Sequence, residues 1–188
     1  MKYHVKRQIF TLLGAVVRTY NEQEQLVCMA KQKAFKLKEE IHFYHDEAKT
    51  QLFFSVKARK VLDFSATYDI TDATGKHIAS LKRQGLSSAF VRDIWEIHDV
   101  NGQQMGQIAE DSDTLGVLRR HVDMISLFLP QKYDITMGSE HIGSMQQNRN
   151  PFTLRLECEY DDSKVQYLGT ILPIAIPSML SIIDARQG

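Results

Sequence analysis

Few residues in this chain combine a reactive type with a spacing that could do chemistry. Cys28 and Cys158 are the only cysteines. A thiol or hydroxyl becomes a nucleophile when a base stands beside it. Both cysteines instead sit in apolar runs, LVCMA and LRLECEY, where a thiol behaves as a small hydrophobe. No GxSxG elbow is present, and two cysteines without a CxxC spacing make neither a disulfide framework nor a zinc knuckle. The run His42-Phe43-Tyr44-His45-Asp46 suggests a metal cluster, but on a strand residues 42 and 45 point to opposite faces. Asp111-Ser112-Asp113-Thr114-Leu115-Gly116 imitates the start of a calcium loop. Its fifth position is Leu115 and its twelfth is Val122, where oxygen ligands are required, so it reads as a capped helix start. Ala73-Thr74-Gly75-Lys76 lacks the first glycine and the following hydroxyl of a phosphate loop. The expectation is a protein that is not an enzyme, with no metal and no cofactor.

Cations give the better lead. They recur where returning strands end: Lys31 and Lys33, Lys57 with Arg59 and Lys60, and Lys82 with Arg83. Side by side, they form a stripe on which an anionic surface meets several charges within a Debye length of about 8 Å. Each such charge contributes about 1 kcal/mol to binding an anionic membrane. The competing reading is that lysines on exposed strands discourage edge-to-edge aggregation. The 23 basic and 23 acidic residues balance, with a pI near 7.1. That balance excludes a globally basic nucleic-acid binder.

The elements that carry these residues follow from an internal repeat. YDITDATGKHIASLKR (68–83), WEIHDVNGQQMGQIAE (95–110) and YDITMGSEHIGSMQQ (133–147) share one pattern. Each opens on an aromatic with isoleucine two residues on, turns, and returns through an apolar–small–polar–apolar step. In the first two copies aspartate opens the turn by bonding backbone amides, and glycine closes it at positive φ. Two weaker copies, 18–33 and 41–59, precede them. Five hairpins, a strand over 7–13 and another over 152–160 total about twelve antiparallel strands. In the return strands Ile78 and Leu81, like Met105 and Ile108, have opposite parity, which implies a bulge or burial on both faces. So many strands split into two sheets or close into a barrel, and a barrel this wide leaves a lumen its own side chains cannot fill. The uncharged C-terminal run YLGTILPIAIPSMLSII is the candidate filling, as a helix apolar on every side. It is shorter than the roughly 20 residues of a membrane span and holds two prolines, so no transmembrane span is expected, membrane insertion being the alternative. Apolar residues at 115, 118, 122, 125 and 129 predict one further amphipathic helix over 113–129. At 188 residues the chain reads as one domain, 1–188.

The opening YHVKRQIFTL, the run AKQKAFKL, the aromatic–x–Ile hairpins and the apolar C-terminal helix resemble the LURP-one-related family, which groups with tubby C-terminal domains and phospholipid scramblases. The resemblance implies a closed antiparallel barrel of about twelve strands around a central hydrophobic C-terminal helix. Tubby domains bind phosphoinositides through surface cations, which points to anionic lipid head groups as ligands of Lys31, Lys33, Lys57, Arg59, Lys60, Lys82 and Arg83. Scramblases carry an acidic, calcium-associated segment before the last helix; here Asp161-Asp162-Ser163-Lys164 lacks its alternating acids. The expected function is a cytoplasmic, non-enzymatic module peripheral to membranes. A protein-interaction scaffold and a scramblase-like membrane protein are the alternatives.

Overall fold

The computed structural model of the chain describes residues 1–10, 14–32, 40–59, 66–84, 94–111, 131–149 and 153–183. Twelve strands run β1 (Lys2–Phe10), β2 (Gly14–Asn21), β3 (Leu26–Gln32), β4 (Ile41–Tyr44), β5 (Leu52–Ala58), β6 (Thr67–Asp72), β7 (His77–Arg83), β8 (Ile94–His98), β9 (Gln104–Glu110), β10 (Gln131–Met137), β11 (Glu140–Arg149) and β12 (Thr153–Tyr160). Each pairs antiparallel with its chain neighbours, and β1 pairs with β12 to close the barrel, Val5 opposite Leu156. Closure leaves no edge strand to aggregate. The five expected hairpins are β2–β3, β4–β5, β6–β7, β8–β9 and β10–β11. The first strand begins five residues earlier than its local pattern suggests, because its register is set by β2 and β12. The amphipathic helix expected over 113–129 lies outside the described residues.

The parity conflict resolves as bulges. Every hairpin shifts register once, after Thr19, Phe43, Ile70, Ile97 and Ile135. Ile70 faces Ala79 while Thr71 faces His77, so Ile78 is the extra residue. Met105 holds that place in β9 and Ile142 in β11. An extra residue flips the parity of everything before it, which lets Ile78 pack against the core beside inward-facing Leu81.

Within the lumen lies α1 (Leu172–Ile183), entered from β12 through a single 3-10 turn at Val165–Leu168. All twelve helix residues are buried. The helix packs against β1, β2 and β12. Elsewhere the lumen wall carries large side chains, among them fully buried Trp95, Phe43 and Phe54, the latter two stacked at 4.4 Å. Polar atoms on α1 are matched. Pro177 has no N–H, so the carbonyl four residues back, on Pro173, loses its helical donor. The Tyr160 hydroxyl donates to that carbonyl at 2.9 Å, and burial pushes the Tyr160 phenol pKa well up, keeping the donor protonated. Ser178 Oγ donates to Ile174 O at 2.6 Å and lies 2.7 Å from Thr19 Oγ1 on the wall.

Two glycines mark close strand approaches. A methyl on Gly143 would collide with the Glu159 carbonyl and lie 2.9 Å from Tyr160 Cδ1; one on Gly106 would meet the Thr136 carbonyl and lie 2.7 Å from Met137 Sδ. Gly143→Ala is therefore expected to destabilise by about 1–3 kcal/mol through overpacking. Tyr160→Phe strands the buried Pro173 carbonyl and is expected to cost about 1–3 kcal/mol. Chemical denaturation measures both; a Tyr160→Phe protein as stable as the parent would refute the carbonyl's need for a donor.

Candidate functional site: the basic rim and its carboxylates

The odd-numbered strands from β3 to β11 return from tight turns at one end of the barrel and finish at the other. Charge is sorted between these ends. Among the described residues, the turn end holds Glu22, Glu24, Asp46, Glu47, Asp72, Asp99, Glu140, Glu159, Asp161 and Asp162 against the Met1 ammonium, Lys2, Lys49, Lys76 and Lys164. Several of these acids build the turns themselves. Asp72 accepts from the Thr74 and Lys76 amides at 2.8 and 3.0 Å, and Asp99 accepts from Asn101 and Gln103 at 2.9 and 2.8 Å.

The expected cations lie at the far rim. Lys31 and Lys57 are exposed on the outer faces of β3 and β5 and have no carboxylate partner among the described residues. Arg59, just past β5, donates through Nε to Asp69 on β6 at 2.8 and 2.9 Å, and through Nη2 to Ser80 at 3.1 Å. Lys82 on β7 donates to Glu96 on β8 at 3.3 Å. Arg83 follows Lys82 on the strand and faces the opposite side. It lies opposite buried Trp95, its guanidinium carbon 5.6 Å from the centre of the indole. Lys33 and Lys60 lie outside the described residues. The outer rim is thus a lattice of alternating sign across β5–β8, with Lys31 and Lys57 beside it.

The two carboxylates are ionic partners. Burial would raise the Asp69 pKa, but hydrogen bonds from Arg59 and Ser80 outweigh it and hold the carboxyl below its ordinary value. Glu96 is held low first by the hydrogen bond from Gln84, then by those from His98 and Lys82, against the opposing effect of burial.

Ser80, His77 and Asp69 converge in a way that invites comparison with a catalytic triad. Ser80 Oγ donates to Asp69 Oδ1 at 2.7 Å, and His77 Nε2 lies 3.0 Å from Ser80 Oγ and 3.5 Å from Asp69. One imidazole nitrogen faces both partners, so the ring does not bridge them as a base held by an acid does. Ser80 is 2% exposed, which leaves no approach for a substrate. The group braces β6 against β7, and Arg59 ties the end of β5 to both. Cys28 is buried, and burial pushes its thiol up to about 12, while the buried Cys158 thiol is also pushed up, so neither is a ready nucleophile. Among the described residues no group of three or more His, Cys, Asp or Glu side chains could hold a metal. His42 instead sits 2.8 Å from Ser55 Oγ, and His45 stacks on Phe53 at 4.1 Å.

A twelve-stranded antiparallel barrel closed around its own C-terminal helix defines the tubby-like class. A family model described as LURP-one-related matches residues 26–175, and the chain belongs to that family. The X-ray structure of a protein from Arabidopsis thaliana superposes on the whole chain and on 92% of its own length, with a TM-score of 0.51 at 9% identity. That likeness is one of fold. No curated protein matches the chain.

Because the folded Asp69 and Glu96 carboxyls are depressed, their contribution to stability is present above the unfolded values of about 4 and lost as pH falls through the folded ones. Acidification below about pH 4 is expected to lower the melting temperature, with a smaller drop in Asp69→Asn. At neutral pH that substitution is expected to cost on the order of 1 kcal/mol, since Arg59 is largely exposed. Equal acid sensitivity in parent and variant would contradict the assignment.

Proposed function

We propose that the protein is a non-enzymatic, cytoplasmic module that rests its basic rim on anionic membrane lipids, with phosphoinositide head groups as the preferred partner. The observation that carries this reading is a surplus of carboxylates at the turn end among the described residues, with Lys31 and Lys57 standing on the opposite rim without a described carboxylate partner. A barrel with no net charge is then attracted to an anionic surface at one end and repelled at the other, which orients it. Lys31 and Lys57 offer charges not already neutralised by a described carboxylate. Arg59 and Lys82, spanned by Asp69 and Glu96, contribute when a phosphate displaces or joins those partners. Bilayer entry by α1 is not part of the proposal. Its twelve described residues span about 18 Å against a hydrocarbon core of about 30 Å, and no helix among the described residues is long and apolar enough to cross.

A protein-binding role is the second reading. Met1, Val100 and Tyr167 are the large apolar side chains exposed among the described residues, and all three lie toward the acidic turn end. Flotation with vesicles of neutral lipid, phosphatidylserine and phosphoinositide tests the first reading. Binding is expected to require anionic lipid, to weaken with salt, and to fall roughly thirtyfold in Lys31→Ala/Lys57→Ala, at about 1 kcal/mol per cation. Binding that ignores lipid charge, or that survives this double substitution, would sink the rim and favour a protein partner.

A further inference from the structure

The seam that closes the barrel carries a polar hollow on its outer wall. Three adjacent strands build it, β11, β12 and β1. Tyr3, Met145, Leu156 and Cys158 turn into the lumen, so the residues alternating with them turn out. The register arranges these in rows across the three strands. Lys2, Glu159 and Ser144 form one row, and His4, Glu157 and Gln146 form the next. Together with Cys158, which lies between the two glutamates, these six residues line a cavity of about 200 Å³.

Side-chain length and pairing account for the hollow. Lys2 reaches Glu159 across the seam at 3.0 Å, while Ser144 on the other side of Glu159 is short. Glu157 is left with a gap beside it instead of a partner. Along the strands the other carboxylates are engaged: Asp69 by Arg59, Glu96 by Lys82, Asp134 by His141 and Glu140 by Lys164. Among the described strand residues, Glu157 is the one carboxylate with neither a hydrogen bond nor an ion pair. Ser144 and Gln146 make no side-chain hydrogen bond among the described residues either.

The hollow therefore holds one uncompensated negative charge. Around Glu157 stand neutral groups that accept as well as donate: the Gln146 amide, the Ser144 hydroxyl and the His4 imidazole. A carboxylate ringed by such acceptors suits a cation that carries several N–H groups. Glu157 repels an anion, and no aromatic face lines the hollow for a sugar to stack on. His4 and the two glutamates do not converge as metal ligands. The next outward row sets Lys6 opposite Arg155, which confines the negative site to the hollow.

We infer that this hollow on the closing seam is a binding site for a primary ammonium or guanidinium group, with Glu157 as its counter-ion and Ser144 and Gln146 as flanking acceptors. The group belongs either to a free amine or to a basic side chain of a peptide. None of the rim cations takes part, so this site and the membrane reading fail separately.

The test follows the backbone amides of His4, Gln146 and Glu157 by NMR in the full chain, at fixed ionic strength. Spermidine, a lysine-containing peptide and glucose are added in turn. Saturable shifts are expected with the two amines and none with glucose. Their midpoint is expected to rise about tenfold or more in Glu157→Gln, as the loss of a charged hydrogen bond requires. Lys31→Ala/Lys57→Ala is expected to leave it unmoved. The amine that binds more tightly identifies the source of the group. Ser144→Leu fills the hollow while keeping its charge, and is expected to weaken both. No shift with either amine overturns the inference, as does an equal response to glucose. Binding that survives Glu157→Gln or Ser144→Leu intact overturns it too.

Discussion

A closed barrel of twelve strands encloses more space than its own side chains can fill, and that volume governs the rest of the structure. An empty apolar lumen forfeits dispersion contacts along its whole lining. The chain answers with α1 against the β12–β1–β2 wall and with aromatic bulk around the remainder, Phe43 on Phe54 and Tyr68 beside Trp95. Filling a lumen with backbone brings polar groups inside, and each needs a partner there. Tyr160 serves the carbonyl that Pro177 leaves open, and Ser178 ties the helix to Thr19. Pro177 is tolerated because the wall provides what the helix lost.

The hairpins and the helical filling were legible in the sequence because their causes are local. Aspartate and glycine at fixed offsets write the turns, and a run of uncharged residues with two prolines cannot sit at the surface. Parity at Ile78 and Leu81 announced the bulge without locating it. The start of β1 was misjudged because its register is imposed by strands far away in sequence. The rim was legible only in part. Lys57 and Arg59 were identifiable as cations at a strand end, but Asp69 and Glu96, which meet Arg59 and Lys82, come from the neighbouring outgoing strands. Nothing in the run Leu81-Lys82-Arg83 announces that its two cations part company, although strand alternation does once the register is known. The buried polar side chains had no local signal: Arg7, Glu110 and Gln147 lie 37 to 140 residues apart and turn inward only once the strands are in register.

Charge balance in this chain conceals organisation rather than indicating neutrality. Acids concentrate at the turns partly because turn geometry requires them: an aspartate that caps backbone amides cannot be exchanged for lysine. The returning strands can then end on cations without a net charge that would oppose compaction. The Asp69–Ser80–His77–Arg59 group shows a second effect, in which a constellation with catalytic composition serves to fasten neighbouring strands.

The pairing of β1 with β12 has a kinetic meaning. Tyr3 pairs with Cys158, 155 residues on, so β1 waits for β12 before its outer hydrogen bonds form. The hairpins between them can each assemble early and locally, but the seam and α1 arrive together at the end. Folding of this barrel is therefore dominated by a long-range closure step, of the kind that makes β-rich domains slow. Until that step the unclosed sheet has two open edges and an exposed apolar face, the features through which partly folded chains aggregate.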